Sequence, residues 1–225
     1  MIVLKDMDEL MTLDLPDDHI AAVHVCSCNP RILKHYPKDW LVTPIYPMIS
    51  GVISFSIRKP NNCAHGSVKY PTAPPPSITD KSPRPYTQLN SGTVVLNPSS
   101  SLSKKIFEFL YERGRVAEWI FPDQDLLSEY FKDKWRPISW YYNALRSLYT
   151  VHPVIWSEHE IRCLHYIFAD KPWRSRKMPS TSEAGFDVMN RWWWERFDRL
   201  GETMSRNDPE GWKLVLSNVN NVRVD

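Results

Sequence analysis

Three short clusters carry side chains able to do chemistry. The first is Leu89-Asn90-Ser91-Gly92, at the entry of an apolar run. Asn90 and Ser91 offer short polar arms there, and Gly92 lets a ligand approach the backbone closely. The plain structural alternative is a turn before a strand. The second cluster is Asp123-Gln124-Asp125, directly after Pro122. A carboxylate and an amide could converge on a polar substrate, although acids in a first helical turn are also ordinary partners of the helix dipole. The third runs from His165 to Lys171-Pro172-Trp173. A neutral imidazole can bind a divalent metal and an ammonium can neutralise a diphosphate. Taken singly, each is also what a surface His and a solvated Lys look like.

The elements that must hold these clusters read as alternating strands and helices. Residues 2–4 end a buried strand, and Asp6 caps a short helix with Glu9 in capping-box position. Short apolar strands follow at 20–25 and, with loose alternation, at 52–57. The Pro-rich segment 60–85 reads as a long loop without helix. Residues 92–96 form a β-branched strand. A helix follows with Leu102, Ile106, Phe109 and Leu110 on one face and Gly114 just past its end. A second helix spans 122–131, with Pro122 in its favourable first turn. Short strands are expected at 138–142 and 161–166. The last helix sets Phe186, Met189, Trp193, Phe197 and Leu200 at helical spacing, opposite Arg191, Glu195, Arg196 and Arg199. This alternation, without an internal repeat, predicts an α/β fold with a mixed sheet. Nothing marks a boundary, so residues 1–225 form a single domain.

Composition excludes several classes. The 225 residues are 42% hydrophobic and 24% charged, which is globular, and the net charge of +2 gives no nucleic-acid signal. The run Arg191-Trp192-Trp193-Trp194-Glu195-Arg196 could stack bases, but the near-neutral charge argues against it. No uncharged apolar run has the roughly 20 residues of a membrane span, and Met1 does not open a signal peptide. Cys26, Cys28, Cys63 and Cys163 form no C-x-x-C pair, so their spacing suggests neither a zinc site nor a disulfide framework. Reduced thiols in a cytoplasmic protein are the expectation.

In order and spacing, the clusters resemble glycosyltransferase family 8, the group containing glycogenin and galactinol synthase. That family has an Asp-x-Asp motif followed by an apolar strand and a short acidic helix, and Met1 to Leu10 looks like the part after the motif. Its Phe-Asn-Ser/Ala-Gly-Val strand entry is matched by Leu89-Asn90-Ser91-Gly92-Thr93. Its helix-opening Asp/Glu-Gln segment is matched by Asp123-Gln124-Asp125, and its His…Lys-Pro-Trp by His165 and Lys171-Pro172-Trp173. The resemblance reaches to about Trp194 and leaves a tail, 201–225, uncovered.

The resemblance implies an α/β, mixed-sheet nucleotide-diphospho-sugar transferase (GT-A-like) fold. This chain would be the C-terminal portion of such a catalytic domain, lacking its N-terminal nucleotide-binding strands. It implies retaining transfer of a hexose from a UDP-sugar to a hydroxyl acceptor on a sugar, polyol or protein. Asp123 and Gln124 would serve the reaction. Asn90, Ser91, Gly92, Asp125 and Lys171 would bind the donor, Lys171 at its diphosphate. His165 would complete a Mn²⁺ site otherwise built from the Asp-x-Asp carboxylates. Met1 stands after the place of the second of these, and Asp6-Met7-Asp8 belongs to the helix cap instead. The expectation is therefore an impaired transferase, with a non-catalytic carbohydrate- or partner-binding remnant as the alternative. Two departures stand out: the apolar stretch 41–59 has no place on the pattern, and Phe168 replaces a Gly near the phosphates.

Overall fold

The computed structural model describes residues 1–40, 62–114, 116–176 and 185–219. The expected strand at 52–57 and the unplaced stretch 41–59 lie outside them. The strands are β1 (Ile2–Val3), β2 (Ile20–His24), β3 (Leu89–Leu96), β4 (Trp135–Pro137), β5 (Ala144–Leu145) and β6 (Cys163–His165). The helices are α1 (Ser100–Arg113), α2 (Pro122–Tyr130), α3 (Leu148–Val151), α4 (Phe186–Asn207) and α5 (Pro209–Ser217). Strands and helices are interspersed but do not strictly alternate: three strands, two helices and two strands precede α3, β6, α4 and α5, and among the described residues the strands form two three-stranded sheets rather than one.

In one sheet β2 lies between β3, antiparallel, and β4, parallel. Every residue of β2 is buried, as a central strand covered on both faces requires. In the other, β6 lies between antiparallel β1 and parallel β5. Both sheets are mixed, and they meet where Gly92 within β3 lies against His165 at the end of β6.

The decisive irregularity is in β3. Ala22 faces Val94, but the next residue, Val23, faces Asn90. Ser91, Gly92 and Thr93 are therefore extra residues, a bulge that bends the strand and re-aims its side chains. The expected turn before the strand is absent: Leu89 to Gly92 are part of β3 itself, because the bulge lets pairing continue past them.

Local signals set most helix ends. The Ser99 hydroxyl accepts from Leu102 N, and Gly114 closes α1 in the left-handed conformation (φ 61°). Asp6 does not cap a helix; it accepts from Asp8 N in a tight turn, and a 3₁₀ turn follows at Asp8–Thr12. Glu9 reaches out of that turn to the Tyr142 hydroxyl instead of back to a cap. The loop read at 60–85 contains two 3₁₀ turns, Ala64–Ser67 and Arg84–Thr87. Its backbone is tied down by His24, whose ring nitrogens lie 2.8 Å from the Pro76 carbonyl and 2.9 Å from that of Tyr86. The strand expected at 138–142 is displaced: pairing occurs at 135–137 and 144–145, with a 3₁₀ turn, Trp140–Asn143, between.

The C-terminal region departs most from expectation. It is helical rather than a plain tail, since α4 runs to Asn207 and α5 follows at once. Asp208 accepts from Gly211 N, and Pro209 sits in the first turn of α5. The buried stripe of α4 is Phe186, Asn190, Trp194, Phe197 and Gly201, with Met189 beside it, whereas Leu200 stays exposed. The stripe rotates because α5 packs over Gly201, where an added Cβ would meet the Trp212 ring at 2.6 Å. Trp194 is thus core, and Trp193 lies half-buried, stacked on Phe197 at 5.0 Å.

Candidate active site

A cavity of about 530 Å³ opens where the β3 bulge, the end of β6 and the N-terminus of α2 meet. Asn90, Ser91, Gly92, Asp123, Gln124 and His165 all line it. Three clusters read separately in the sequence thus share one concave surface.

A chain of hydrogen bonds holds them in place. Asn143, buried just before β5, donates from Nδ2 to Asn90 Oδ1 at 2.6 Å. Its Oδ1 is left to accept from His165 Nδ1 at 2.9 Å. Asn90 in turn donates to Gln124 Oε1 at 3.1 Å, and Gly92 N donates to Asn90 Oδ1 at 3.0 Å. Ser91 donates to Asp123 Oδ2 at 2.5 Å. This network fixes the His165 tautomer: the proton sits on Nδ1, so Nε2 keeps the lone pair. Burial first, then the amino terminus and Lys171, push the imidazole from 6.5 down to about 4. It is neutral at pH 7.

Gly92 is needed by close approach. A Cβ there would stand 2.6 Å from the His165 ring and 2.9 Å from Asn143 Oδ1, so a side chain would displace both. On the other wall the cavity is aromatic, with His35, Tyr36, Trp40, Phe121 and Phe168. Trp40 and Phe121 stack at 5.6 Å. Phe168 holds φ at 69°, a left-handed backbone that a Gly occupies without strain. The Arg31 guanidinium lies 4.0 Å over its ring. Arg31 also makes a two-pronged pair with Asp170, at 2.8 and 3.2 Å, and fully buried Arg146 pairs with the same carboxylate at 2.9 Å. Burial raises the Asp170 carboxyl, but the Arg31 hydrogen bonds and the Arg146 charge outweigh it and hold the group below its usual range.

Two sequence candidates lie elsewhere. Asp125 does not line the cavity; its Oδ2 accepts from Ile120 N at 2.8 Å and Phe121 N at 2.9 Å, holding the turn that presents Asp123 and Gln124. Lys171 is also outside the lining; it donates to the Tyr166 carbonyl and lies 5.8 Å from the Trp173 ring centroid. Asn143 was missed because it belongs to no polar cluster in the sequence, only to a Tyr-Tyr-Asn run. His35, Tyr36 and Trp40 were missed because aromatic residues carry the same signal in a core as in a pocket.

The model of "Glycosyl transferase family 8" matches residues 1–177. The chain belongs to glycosyl transferase family 8. It is 28% identical over 198 residues to galactinol synthase 3 of Arabidopsis thaliana, covering 87% of this chain and 51% of that protein. Galactinol synthase 2 of Solanum lycopersicum is 26% identical, with 87% and 50% covered. A glycogenin of Neurospora crassa is 27% identical over 112 residues, 49% of this chain and 16% of that one. The chain spans about half the length of the galactinol synthases it matches. No solved structure matches. Membership implies a GT-A-like fold, and the chain is α/β with mixed sheets. No helix among the described residues is long and apolar enough to cross a membrane.

Mn²⁺ prefers several oxygen ligands. Among the described residues His165 belongs to no group of three or more side chains able to hold an ion together. These residues do not by themselves complete a Mn²⁺ site.

Proposed function

We propose that this chain forms the sugar-transfer face of a retaining hexosyltransferase pocket, which moves a hexose from a UDP-sugar to a hydroxyl acceptor. The observation that carries this reading is the gathering of Asn90, Ser91, Asp123, Gln124 and His165 around one cavity. Breaking the sugar–phosphate bond makes the sugar oxocarbenium-like. The Asp123 carboxylate, steadied by Ser91, favours that developing positive charge. Asn90 draws the Gln124 carboxamide oxygen inward, so the Gln124 N–H donors are the part offered to sugar hydroxyls. The aromatic wall offers flat faces for a pyranose or a base. Lys171, six residues beyond His165, stays close enough to lower the proton affinity of the imidazole and to add positive potential toward a diphosphate. Family resemblance supports the donor class.

Isothermal titration of a UDP-hexose with and without Mn²⁺ tests the reading, paired with radiolabelled donor hydrolysis. Donor binding should weaken about tenfold or more in Asp123→Ala and Asn90→Ala, the loss of a desolvated hydrogen-bonding partner. Turnover by the chain alone should be low, because among the described residues His165 has no companion ligands. Equal affinity in wild type and both variants would sink the assignment. Binding of free sugar with no preference for the UDP form would favour the carbohydrate-binding alternative, which the same lack of ion ligands supports.

A further inference from the structure

Behind the cavity wall, three sulfurs and an imidazole nitrogen meet. Cys26 and Cys28 stand two apart in the chain leaving β2, the spacing that puts two side chains on one face of an extended segment. Cys63 begins the 3₁₀ turn Ala64–Ser67, and His152 caps the C-terminus of α3. His152 Nε2 lies 3.2 Å from the Cys28 sulfur and 3.4 Å from that of Cys63. The Cys26 and Cys63 sulfurs are 4.0 Å apart. All four potential ligand atoms fall within 4.8 Å of one another, and all four residues are buried. None of the cysteines is in a disulfide.

These separations are the edges of a coordination tetrahedron. With Zn–S of about 2.3 Å and Zn–N of about 2.0–2.1 Å, tetrahedral angles give sulfur–sulfur edges of about 3.8 Å and sulfur–nitrogen edges of about 3.6 Å. We propose that Cys26, Cys28, Cys63 and His152 bind a structural Zn²⁺ ion. Three thiolates and an imidazole form a soft donor set, which selects Zn²⁺ over oxygen-seeking Mn²⁺. Four protein ligands close the coordination sphere, so the ion would hold structure rather than do chemistry. Binding releases the three thiol protons. His65, whose Nδ1 is 4.0 Å from the Cys63 sulfur, stands beside the cluster but outside the four-atom group.

The ion would tie together segments distant in the chain: Cys26 and Cys63 are 37 residues apart, Cys63 and His152 89. Cys26 also lines the cavity. Zinc therefore fixes the wall between β2 and the Pro-rich segment, where loops rather than long elements make the packing. The site stands whether or not the chain transfers sugars.

The test uses the full chain, expressed with zinc in the medium and desalted. Elemental analysis should find about one equivalent of zinc per chain. Exchange into cobalt should give the thiolate charge-transfer and tetrahedral d–d bands of a Cys₃His site. Cys63→Ser and His152→Ala should lose the metal, while Cys163→Ala, outside the cluster, should keep it. Because the cluster variants could fail to fold, the wild type carries a second readout. Chelation should expose three further thiols to a thiol reagent and lower the melting temperature, and zinc should restore both. A folded wild type with substoichiometric zinc and a melting temperature indifferent to chelator overturns the proposal. So does a Cys26–Cys63 disulfide found by mass spectrometry in the folded chain.

Discussion

Two residues decide the chemistry of the cavity through contact distance and charge. Gly92 has no room for a Cβ against His165 and Asn143. Gly92→Ala should cost about 1–3 kcal/mol, the usual penalty of overpacking, and weaken UDP-sugar binding by turning the imidazole away. A thermal melt and a donor titration read the two effects, and an unchanged variant would show that the His165 ring is not seated against β3. His165 is held at about 4 in the fold against 6.5 when solvated. Between these values the unfolded chain binds the extra proton and the folded chain does not. Stability must therefore fall as pH drops from 6.5 toward 4, and be flat for this group above 6.5. Urea midpoints measured across that window should slope less steeply in His165→Gln than in wild type.

At the scale of elements, the β3 bulge and the first turn of α2 do the positioning. Asp125 illustrates how. It was read as a donor-binding group, yet its carboxylate is spent on the amides of Ile120 and Phe121. Removing such a cap costs about 0.5–2 kcal/mol. Asp125→Ala should lose that much stability and also weaken donor binding, because Asp123 and Gln124 sit on the same turn. Asp125→Asn, which keeps an acceptor oxygen, should recover most of both. If Asp125→Ala instead abolished binding while stability was untouched, direct contact with the donor would be the better account. The pairing of α4 with α5 shows the same principle at the other end of the chain. A glycine at 201 admits Trp212, and that contact selects which stripe of a Trp-rich helix is buried.

At the scale of the whole molecule, distant segments are joined by buried polar contacts. Asp170 holds Arg31 from the N-terminal part and Arg146, which is 0% exposed, from the segment after β5. Breaking a buried ion pair from one side leaves a charge without compensation, at about 3–5 kcal/mol. Asp170→Ala should lower the denaturation free energy by that order, and a loss below about 1 kcal/mol would mean that water reaches Arg146. The Arg31 guanidinium also covers Phe168, so the same variant should loosen the cavity wall.

Much of this was legible in the chain itself. The β2 run, the Gly114 signal of α1 and Pro122 at the start of α2 are local, and local signals survive folding because neighbouring residues supply them. The order of the Asn90, Asp123 and His165 clusters was enough to reach the family. What only the tertiary structure decided depends on residues brought together from far apart. The bulge comes from pairing with β2, and the His165 tautomer from Asn143. The stripe of α4 comes from α5, and the hydrogen bonds of Asp125 from the turn before it. The cysteines make the point most sharply. Their spacing of 26, 28 and 63 follows no metal-site pattern, and the fourth ligand, His152, lies 124 residues from Cys28. A sequence pattern registers ligands on one hairpin or one helix; a site assembled from three separate segments exists only once the chain has folded.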